Sequence, residues 1–353
     1  MFVKWDITGK CNLNCLHCSV GKEYNTGNSK YKDLDTNQVL IICDKLIEAK
    51  ISDIQILGGE PFARADIMLV LKKLSDAGIR ICINTNAQLL TEEIIRELTQ
   101  IKIHMINVSF DGIDKETNDF VRGTGSFKRT LDKLHMLSDN KELTNKTMLG
   151  INFVIMKHTL PYAKELIDFC IENCVQNLAV NDLWVTQNAK DNQKDIYFDS
   201  IEDKLKFINQ LCEYNDKRIE LKIEAMPLIS GILNLKHDMH LFTNRGCGAG
   251  EDIVYIQANG DVFPCIKCRN IHELFESEKV EDLNIKNRTL YEILSTNYFS
   301  NFCEFKTKMK KDKEMCRSCL YNDMCVPCPF DVYSKAYMNE CKVATEKMID
   351  EGV

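Results

Sequence analysis

Three cysteines near the start of the chain, Cys11, Cys15 and Cys18, have a residue type and a spacing that suit metal binding. Thiolates separated by four and then three positions can hold three corners of a cubane iron–sulfur cluster. Most electron-transfer clusters take four cysteines, so a compact set of three leaves one iron open for another ligand. A disulfide or a zinc knuckle is the alternative, but the segment lacks a nearby fourth ligand.

The surrounding sequence alternates short apolar runs with amphipathic stretches, and the cysteine loop follows the first run. Strands are predicted at residues 2–7, 53–57, 79–84, 104–110, 148–156 and 177–185. Helices are predicted at residues 35–50, 67–74, 92–98, 127–137 and 163–174. This alternation is typical of an α/β fold with parallel strands and right-handed crossovers. In such folds chemistry lies at the carboxyl ends of the strands, where the cysteine loop begins.

Composition narrows the class of protein. The 353 residues are 44% hydrophobic, which suits one large core and a smaller module. The net charge of −7 argues against a protein that binds nucleic acid, because such proteins usually carry a basic surface. The sequence has no signal segment at Met1 and no apolar run of roughly the 18 residues a membrane span needs, so we expect a cytoplasmic protein without a membrane partner. Its 17 cysteines then favour metal over disulfides.

The spacing of Cys11, Cys15 and Cys18, with His17 before the last cysteine, resembles the signature of the radical S-adenosylmethionine (radical SAM) superfamily. The resemblance implies a partial (β/α)6 TIM-like barrel over residues 1–185. It also implies that the open iron binds the amino and carboxylate groups of S-adenosylmethionine. A reductant such as flavodoxin or ferredoxin would supply one electron, and the resulting 5′-deoxyadenosyl radical would abstract hydrogen from substrate. The protein would position the cofactor and exclude water from the radical.

The second predicted strand ends in Gly58, Gly59, Glu60 and Pro61, which resemble the Gly-Gly-Glu-Pro motif of that superfamily. Two glycines allow close backbone approach, and the proline restricts the path of the chain as it leaves the strand. The resemblance implies that the backbone and Glu60 receive the methionine ammonium. An ordinary strand-to-helix turn is the alternative.

Further polar residues at strand ends are candidates for the same site. Ser109 and Asp111 lie in a Ser-x-Asp-Gly stretch that resembles a family motif, which implies hydrogen bonds to the ribose. Arg122 stands where the family places a guanidinium on the methionine carboxylate. The planar guanidinium is well suited to such a bidentate contact. A surface salt bridge is the alternative for Arg122. Asn84 and Asn152 could line the pocket or make structural hydrogen bonds.

Nine cysteines lie between residues 247 and 341. Asn259-Gly260, between two alternating runs, predicts a β-hairpin that returns Cys265 to Cys247. The pattern resembles the SPASM extension of peptide- and protein-modifying radical SAM enzymes, which carries two auxiliary [4Fe-4S] clusters. We therefore expect a small cysteine-rich SPASM module at residues 246–353. Residues 186–245 would form a bridge, with a loop at 186–199, a helix at 201–214 and a strand at 219–225.

The resemblance implies a ligand set for each auxiliary cluster, and three [4Fe-4S] clusters in all. The first set is Cys247, Cys265 and Cys328, and the second is Cys316, Cys319, Cys325 and Cys341. The chain departs from the family in having two residues, where three are usual, before Cys328. It also lacks a frequent extra ligand of the first cluster.

Cys268 could supply that missing ligand, with Cys303 as a weaker candidate. If neither does, the first auxiliary cluster has an open iron that could bind substrate directly. A zinc site built from the two Cys-x2-Cys pairs is the alternative to the second cluster, but it would leave Cys247, Cys265 and Cys341 unexplained.

These features favour a maturase that acts on a ribosomally made peptide, forming a thioether or carbon–carbon crosslink or a related modification. Ile266 follows Cys265, where sulfatase-maturating relatives have an acidic base, so that activity is disfavoured. The chain begins at the first strand, so leader recognition would come from a separate protein or a barrel edge. The alternatives are radical SAM chemistry on a small molecule and an iron–sulfur redox protein without turnover.

Overall fold

The protein is seen in a computed structural model, which describes residues 1–21, 32–224, 247–270 and 283–312, and residues 317, 328, 339, 341–343 and 346. The predicted ligands Cys316, Cys319 and Cys325 lie outside the described residues. No helix within the described ranges is long and apolar enough to cross a membrane.

A single β-sheet carries the site. Its strands are β1 (Phe2–Asp6), β2 (Asp53–Leu57), β3 (Arg80–Thr85), β4 (Met105–Ser109), β5 (Met148–Val154), β6 (Asn177–Asn181), β7 (Glu220–Glu224), β8 (Ile253–Ile256) and β9 (Val262–Phe263). The spatial order is β7-β6-β5-β4-β3-β2-β1-β8-β9. All pairs among β1 to β8 are parallel, and β9 is antiparallel to β8. The predicted α/β fold with a parallel sheet is therefore confirmed.

Helices connect the strands and cover one face of the sheet. They are α1 (Thr36–Glu48), α2 (Ile67–Asp76), α3 (Glu92–Leu98), α4 (Lys115–Arg122), α5 (Ser126–Asp139), α6 (Lys141–Thr144), α7 (Ala163–Glu172), α8 (Gln187–Asp191), α9 (Gln193–Ile196), α10 (Ile201–Glu213), α11 (Leu290–Leu294) and α12 (Asn297–Asp312). Short 3-10 turns occur at Pro61–Ala63, Lys157–Tyr162 and Ile266–Asn270. The apolar faces of most of these helices and of the sheet form one large buried cluster. Helices α4, α8 and α9 contribute Val121, Ala189 and Ile196 to a second, smaller one.

The side chains of each strand alternate between two faces, and the face away from the main helices is polar. It carries a row of amides, namely Gln55, Asn84, Asn107, Asn152 and Asn181. Asn84 Oδ1 accepts hydrogen bonds from Gln55 Nε2 and from Asn107 Nδ2, both at 3.1 Å. Asn152 Oδ1 accepts one from Asn181 Nδ2 at 3.0 Å. The amides of Asn84 and Asn152 thus make structural hydrogen bonds, which is one of the two roles that the sequence allowed for these residues.

The sheet extends beyond the six predicted units on both sides. Strand β7, which the sequence placed in the bridge, pairs with β6 from Asn177↔Glu220 to Asn181↔Glu224. On the other side β8 pairs in parallel with β1, so the predicted hairpin lies directly beside the strand that leads into the cysteine loop. Lys45 Nζ in α1 reinforces this join, because it donates to the carbonyls of Ile285, Lys286 and Arg288 at 2.6, 2.8 and 3.0 Å.

One local prediction was wrong, and one helix was missed. Residues 186–199 were expected to form a loop, yet they contain α8 and α9. Helix α4 was not predicted at all, although its capping box is visible in the sequence: the Asp114 carboxylate accepts from the Thr117 N–H at 2.8 Å. In both places charged and amide residues hide the apolar periodicity on which the sequence interpretation relied.

Candidate active site

The cysteine loop follows β1 at the carboxyl edge of the sheet, as predicted. Its turn is closed by the Cys18 N–H, which donates to the Cys15 carbonyl at 3.2 Å. The Leu16 N–H donates to the carbonyl of Val121 at 2.9 Å and so ties the loop to the end of α4. At the start of the loop the Leu13 N–H lies 3.4 Å from Cys11 Sγ.

A pair of asparagines holds the same loop from the other side. Asn188 Nδ2 in α8 donates to Asn14 Oδ1 at 2.9 Å and to the Cys15 carbonyl at 3.0 Å. Asn192 Nδ2 donates to the Leu16 carbonyl at 3.3 Å. These asparagines come from the segment predicted as a loop, and their contacts show that it supports the cysteines.

The Gly-Gly-Glu stretch brings the end of β2 against the cysteine loop. The Gly59 N–H donates to the Thr8 carbonyl at 2.8 Å, and the Glu60 N–H donates to the Lys10 carbonyl at 2.7 Å. A Cβ at position 59 would overlap the Lys10 backbone, and Gly58 has a φ of +138°. Glycine is therefore required at both positions for these two backbones to meet.

The Glu60 carboxylate is 1% exposed and anchored to the end of β3. Oε1 accepts from the Thr85 hydroxyl at 2.6 Å and from the Phe62 N–H at 3.2 Å, while Oε2 accepts from the Asn86 N–H at 2.7 Å. Burial raises the pKa of Glu60, although these hydrogen bonds oppose the shift. Asn86 Nδ2 in turn donates to Asn12 Oδ1 at 2.9 Å, which connects the β3 end to the cysteine loop.

The thiols of Cys11, Cys15 and Cys18 fit an iron–sulfur cluster by their chemistry. All three are thiols on one loop. Burial raises the pKa of Cys11 to about 11 and that of Cys15 to about 12, and the neighbouring Cys18 raises both. Metal-bound cysteines are deprotonated, so cations are needed to offset this clustering of buried thiolates.

Beside the loop lies a buried ion pair between Asp111 and Arg122. Asp111 Oδ2 lies 2.6 Å from Arg122 Nη2 and 3.4 Å from His17 Nε2. Burial lowers the pKa of His17 to about 4, so the imidazole is neutral near pH 7. The structure thus brings together three predicted cofactor residues. Ser109 stands half-buried at the end of β4, opposite Asn152 of β5.

A second group of thiols surrounds the β8–β9 hairpin. Cys265 Sγ and Cys268 Sγ lie 3.5 Å apart, and Cys268 is completely buried. Lys267 Nζ, between them in sequence, lies 3.8 Å from Cys328 Sγ and 4.8 Å from the centre of the Trp184 ring. The turn at Cys247 is held by Lys306 Nζ, which donates to the Cys247 carbonyl at 2.8 Å.

Comparison with known proteins identifies the family. A profile of the radical SAM superfamily matches residues 5–170, and one described as an iron-sulfur cluster-binding domain (SPASM) matches residues 247–320. The chain belongs to the radical SAM superfamily. It is therefore a radical SAM enzyme with a SPASM domain, dependent on S-adenosylmethionine and iron–sulfur clusters, as its motifs predicted.

The relatives of this radical SAM enzyme include proteins that are named for different kinds of substrate. An AdoMet-dependent heme synthase of Methanosarcina barkeri is 27% identical over 74% of this chain and 76% of its own length. A PqqA peptide cyclase of Bradyrhizobium diazoefficiens is 27% identical over 77% of this chain and 68% of its own. Among solved structures, Streptococcus suis SuiB bound to its precursor peptide SuiA superposes with a TM-score of 0.73. It is 20% identical and covers 95% of this chain and 73% of its own.

Proposed function

We propose that this radical SAM enzyme is a maturase that abstracts hydrogen from a ribosomally made peptide and forms a thioether or carbon–carbon crosslink, or a related modification. The observation that carries the proposal is the position of Lys267, whose Nζ contacts both the Cys328 sulfur of the SPASM domain and the ring of Trp184, which follows β6. A substrate at the carboxyl edge of the sheet would then lie between the cysteine loop and a second metal site. The relation to a PqqA peptide cyclase supports a peptide as that substrate.

The residues around the cysteine loop would bind S-adenosylmethionine. Glu60 and the Gly59 backbone would receive the ammonium, Arg122 the carboxylate, and Ser109 the ribose, with His17 alongside. Cys11, Cys15 and Cys18 would hold the cluster, which with bound S-adenosylmethionine and one electron would supply a 5′-deoxyadenosyl radical. The buried surroundings of these residues would exclude water from the reaction.

The SPASM cysteines would hold two auxiliary [4Fe-4S] clusters, making three clusters in the enzyme. We assign Cys247, Cys265 and Cys328 to the first, with Cys268 as its fourth ligand. Cys341 would join Cys316, Cys319 and Cys325 in the second. These clusters would accept the electron left after bond formation. We further propose a flavodoxin or ferredoxin as reductant and a separate protein for any leader recognition.

Cys268 is favoured over Cys303 as the fourth ligand by its neighbours. Cys268 Sγ lies 3.5 Å from the sulfur of Cys265, a member of the proposed set, and the pKa of Cys268 is raised by burial and by that thiol. The pKa of Cys303 is raised by burial and, among the set, by Cys247. Cys303 is also only partly buried.

Chemistry on a haem precursor is the second candidate. It is favoured by the relation to a heme synthase, which is as similar in sequence as the peptide cyclase. Both candidates use the same cysteine loop, so cofactor cleavage alone does not separate them.

The test uses the enzyme reconstituted anaerobically with iron and sulfide and supplied with S-adenosylmethionine and dithionite. Synthetic peptides encoded by small neighbouring genes and a haem precursor would be added separately. We expect a peptide to stimulate 5′-deoxyadenosine formation and to change mass by the loss of two hydrogens for each crosslink. A mass change of the haem precursor with no change of any peptide would favour the second candidate. The variant with Cys11, Cys15 and Cys18 replaced by Ala is the control.

A further inference from the structure

We infer that Asp111 is a positioning residue, which holds Arg122 and His17 at the cofactor site, and that it is not a ligand of the ribose. This inference rests on the cofactor site proposed above. The observation behind it is the environment of the Asp111 side chain.

The Asp111 carboxylate is 0% exposed, with one oxygen in a hydrogen bond and the other in ion-pair contacts. Oδ1 accepts a hydrogen bond from the Val154 N–H at 3.0 Å. Oδ2 faces Arg122 Nη2 at 2.6 Å and His17 Nε2 at 3.4 Å. The Asp111 backbone is fixed as well, because its N–H donates to Asn118 Oδ1 at 3.0 Å. A ribose hydroxyl would have to displace these contacts to reach the Asp111 carboxylate.

Arg122 and His17, by contrast, retain capacity for a ligand. Arg122 Nε and His17 Nδ1 are both buried, and neither has a hydrogen-bond partner among the described residues. Buried polar atoms are normally paired, and unpaired ones are frequently ligand contacts. His17 Nε2 faces the Asp111 carboxylate, which can only accept a hydrogen bond, so we assign a proton to Nε2.

Charge explains why Asp111 is needed behind these two side chains. Burial alone would raise the pKa of Asp111, but the Arg122 guanidinium holds it below its usual range. The carboxylate is therefore ionised and compensates the buried guanidinium. A buried cation without its partner is strongly destabilised and moves toward water. Removing the carboxylate should then displace Arg122 from the methionine carboxylate of the cofactor.

The test compares two ligands that share the ribose and differ in the methionine group. Dissociation constants for S-adenosylmethionine and for 5′-deoxyadenosine would be measured by calorimetry on the reconstituted full-length enzyme. We expect Asp111→Asn to weaken S-adenosylmethionine about ten- to hundredfold and to change 5′-deoxyadenosine less than twofold. Asp114→Asn makes the same charge change at the start of α4 and should leave both constants within about twofold.

A double-mutant cycle distinguishes action through Arg122 from a separate effect. If Asp111 acts through Arg122, the double variant Asp111→Asn/Arg122→Ala should bind S-adenosylmethionine no more weakly than Arg122→Ala alone. If Asp111→Asn does not fold, Asp111→Glu keeps the charge, displaces the guanidinium and is measured in the same way. Weaker binding of 5′-deoxyadenosine, or losses that multiply in the double variant, would overturn the inference. The identity of the substrate does not affect these constants, so the peptide proposal is tested separately.

Discussion

The fourth ligand of the first auxiliary cluster can be tested by replacing Cys268 with Ala. The background should lack Cys11, Cys15 and Cys18, so that only the SPASM clusters contribute. Two cubanes then give about eight irons per chain, since each holds about four. If Cys268 closes the first cluster, its loss should release up to one iron or alter the electron paramagnetic resonance spectrum of the reduced protein.

The structure indicates that this change should leave the fold intact. Cys268 is completely buried, but Cys→Ala removes only one sulfur, and a cavity of that size costs about 1 kcal/mol. The hairpin is held independently by the pairing of Tyr255 with Phe263 and of Ile256 with Val262. Loss of iron would therefore report on ligation and not on unfolding, which circular dichroism would check.

Cys303→Ala in the same background is the matched control. Cys303 lies near Cys247 and is partly buried. Its replacement therefore shows whether the loss of any thiol in this region changes the iron content. We expect about eight irons and an unchanged spectrum from it. An unchanged spectrum and iron content in Cys268→Ala would refute the assignment and leave the first cluster open for a substrate thiolate.

Three further predictions concern the cysteine loop. Replacing Cys11, Cys15 and Cys18 together by Ala should abolish 5′-deoxyadenosine formation, measured by chromatography, while about eight irons remain; surviving cleavage would contradict the central assignment. Glu60→Gln places an amide where the carboxylate accepts backbone N–H groups, so S-adenosylmethionine should bind about ten- to hundredfold more weakly in calorimetry. An unchanged constant would remove Glu60 from the cofactor site. Asn188→Ala removes two hydrogen bonds to the cysteine loop, worth about 1 kcal/mol each. A chelator should therefore extract iron from the cluster of Cys11, Cys15 and Cys18 faster than from the unmodified enzyme. Equal extraction rates would count against the support role of α8.

The sequence by itself determined most of the fold and the location of the chemistry. Strand β2 and helix α3 have the predicted bounds, because apolar periodicity is a property of neighbouring residues. The cysteine motif, the Gly-Gly-Glu stretch and the Asn-Gly hairpin are equally local, since each depends on spacing within a few residues. Their resemblance to one superfamily was confirmed by comparison with known proteins.

Only the tertiary structure decided which of these residues meet. Asn188 reaches Asn14 across 174 positions, and no local pattern relates an amide in a polar segment to a distant cysteine loop. The position of β8 beside β1 is likewise a pairing of remote strands. Asp111 illustrates the same limit at a single side chain. Its motif suggested a ribose ligand, but its burial and its contacts with Arg122 and His17 depend on how β4, α4 and the cysteine loop pack together.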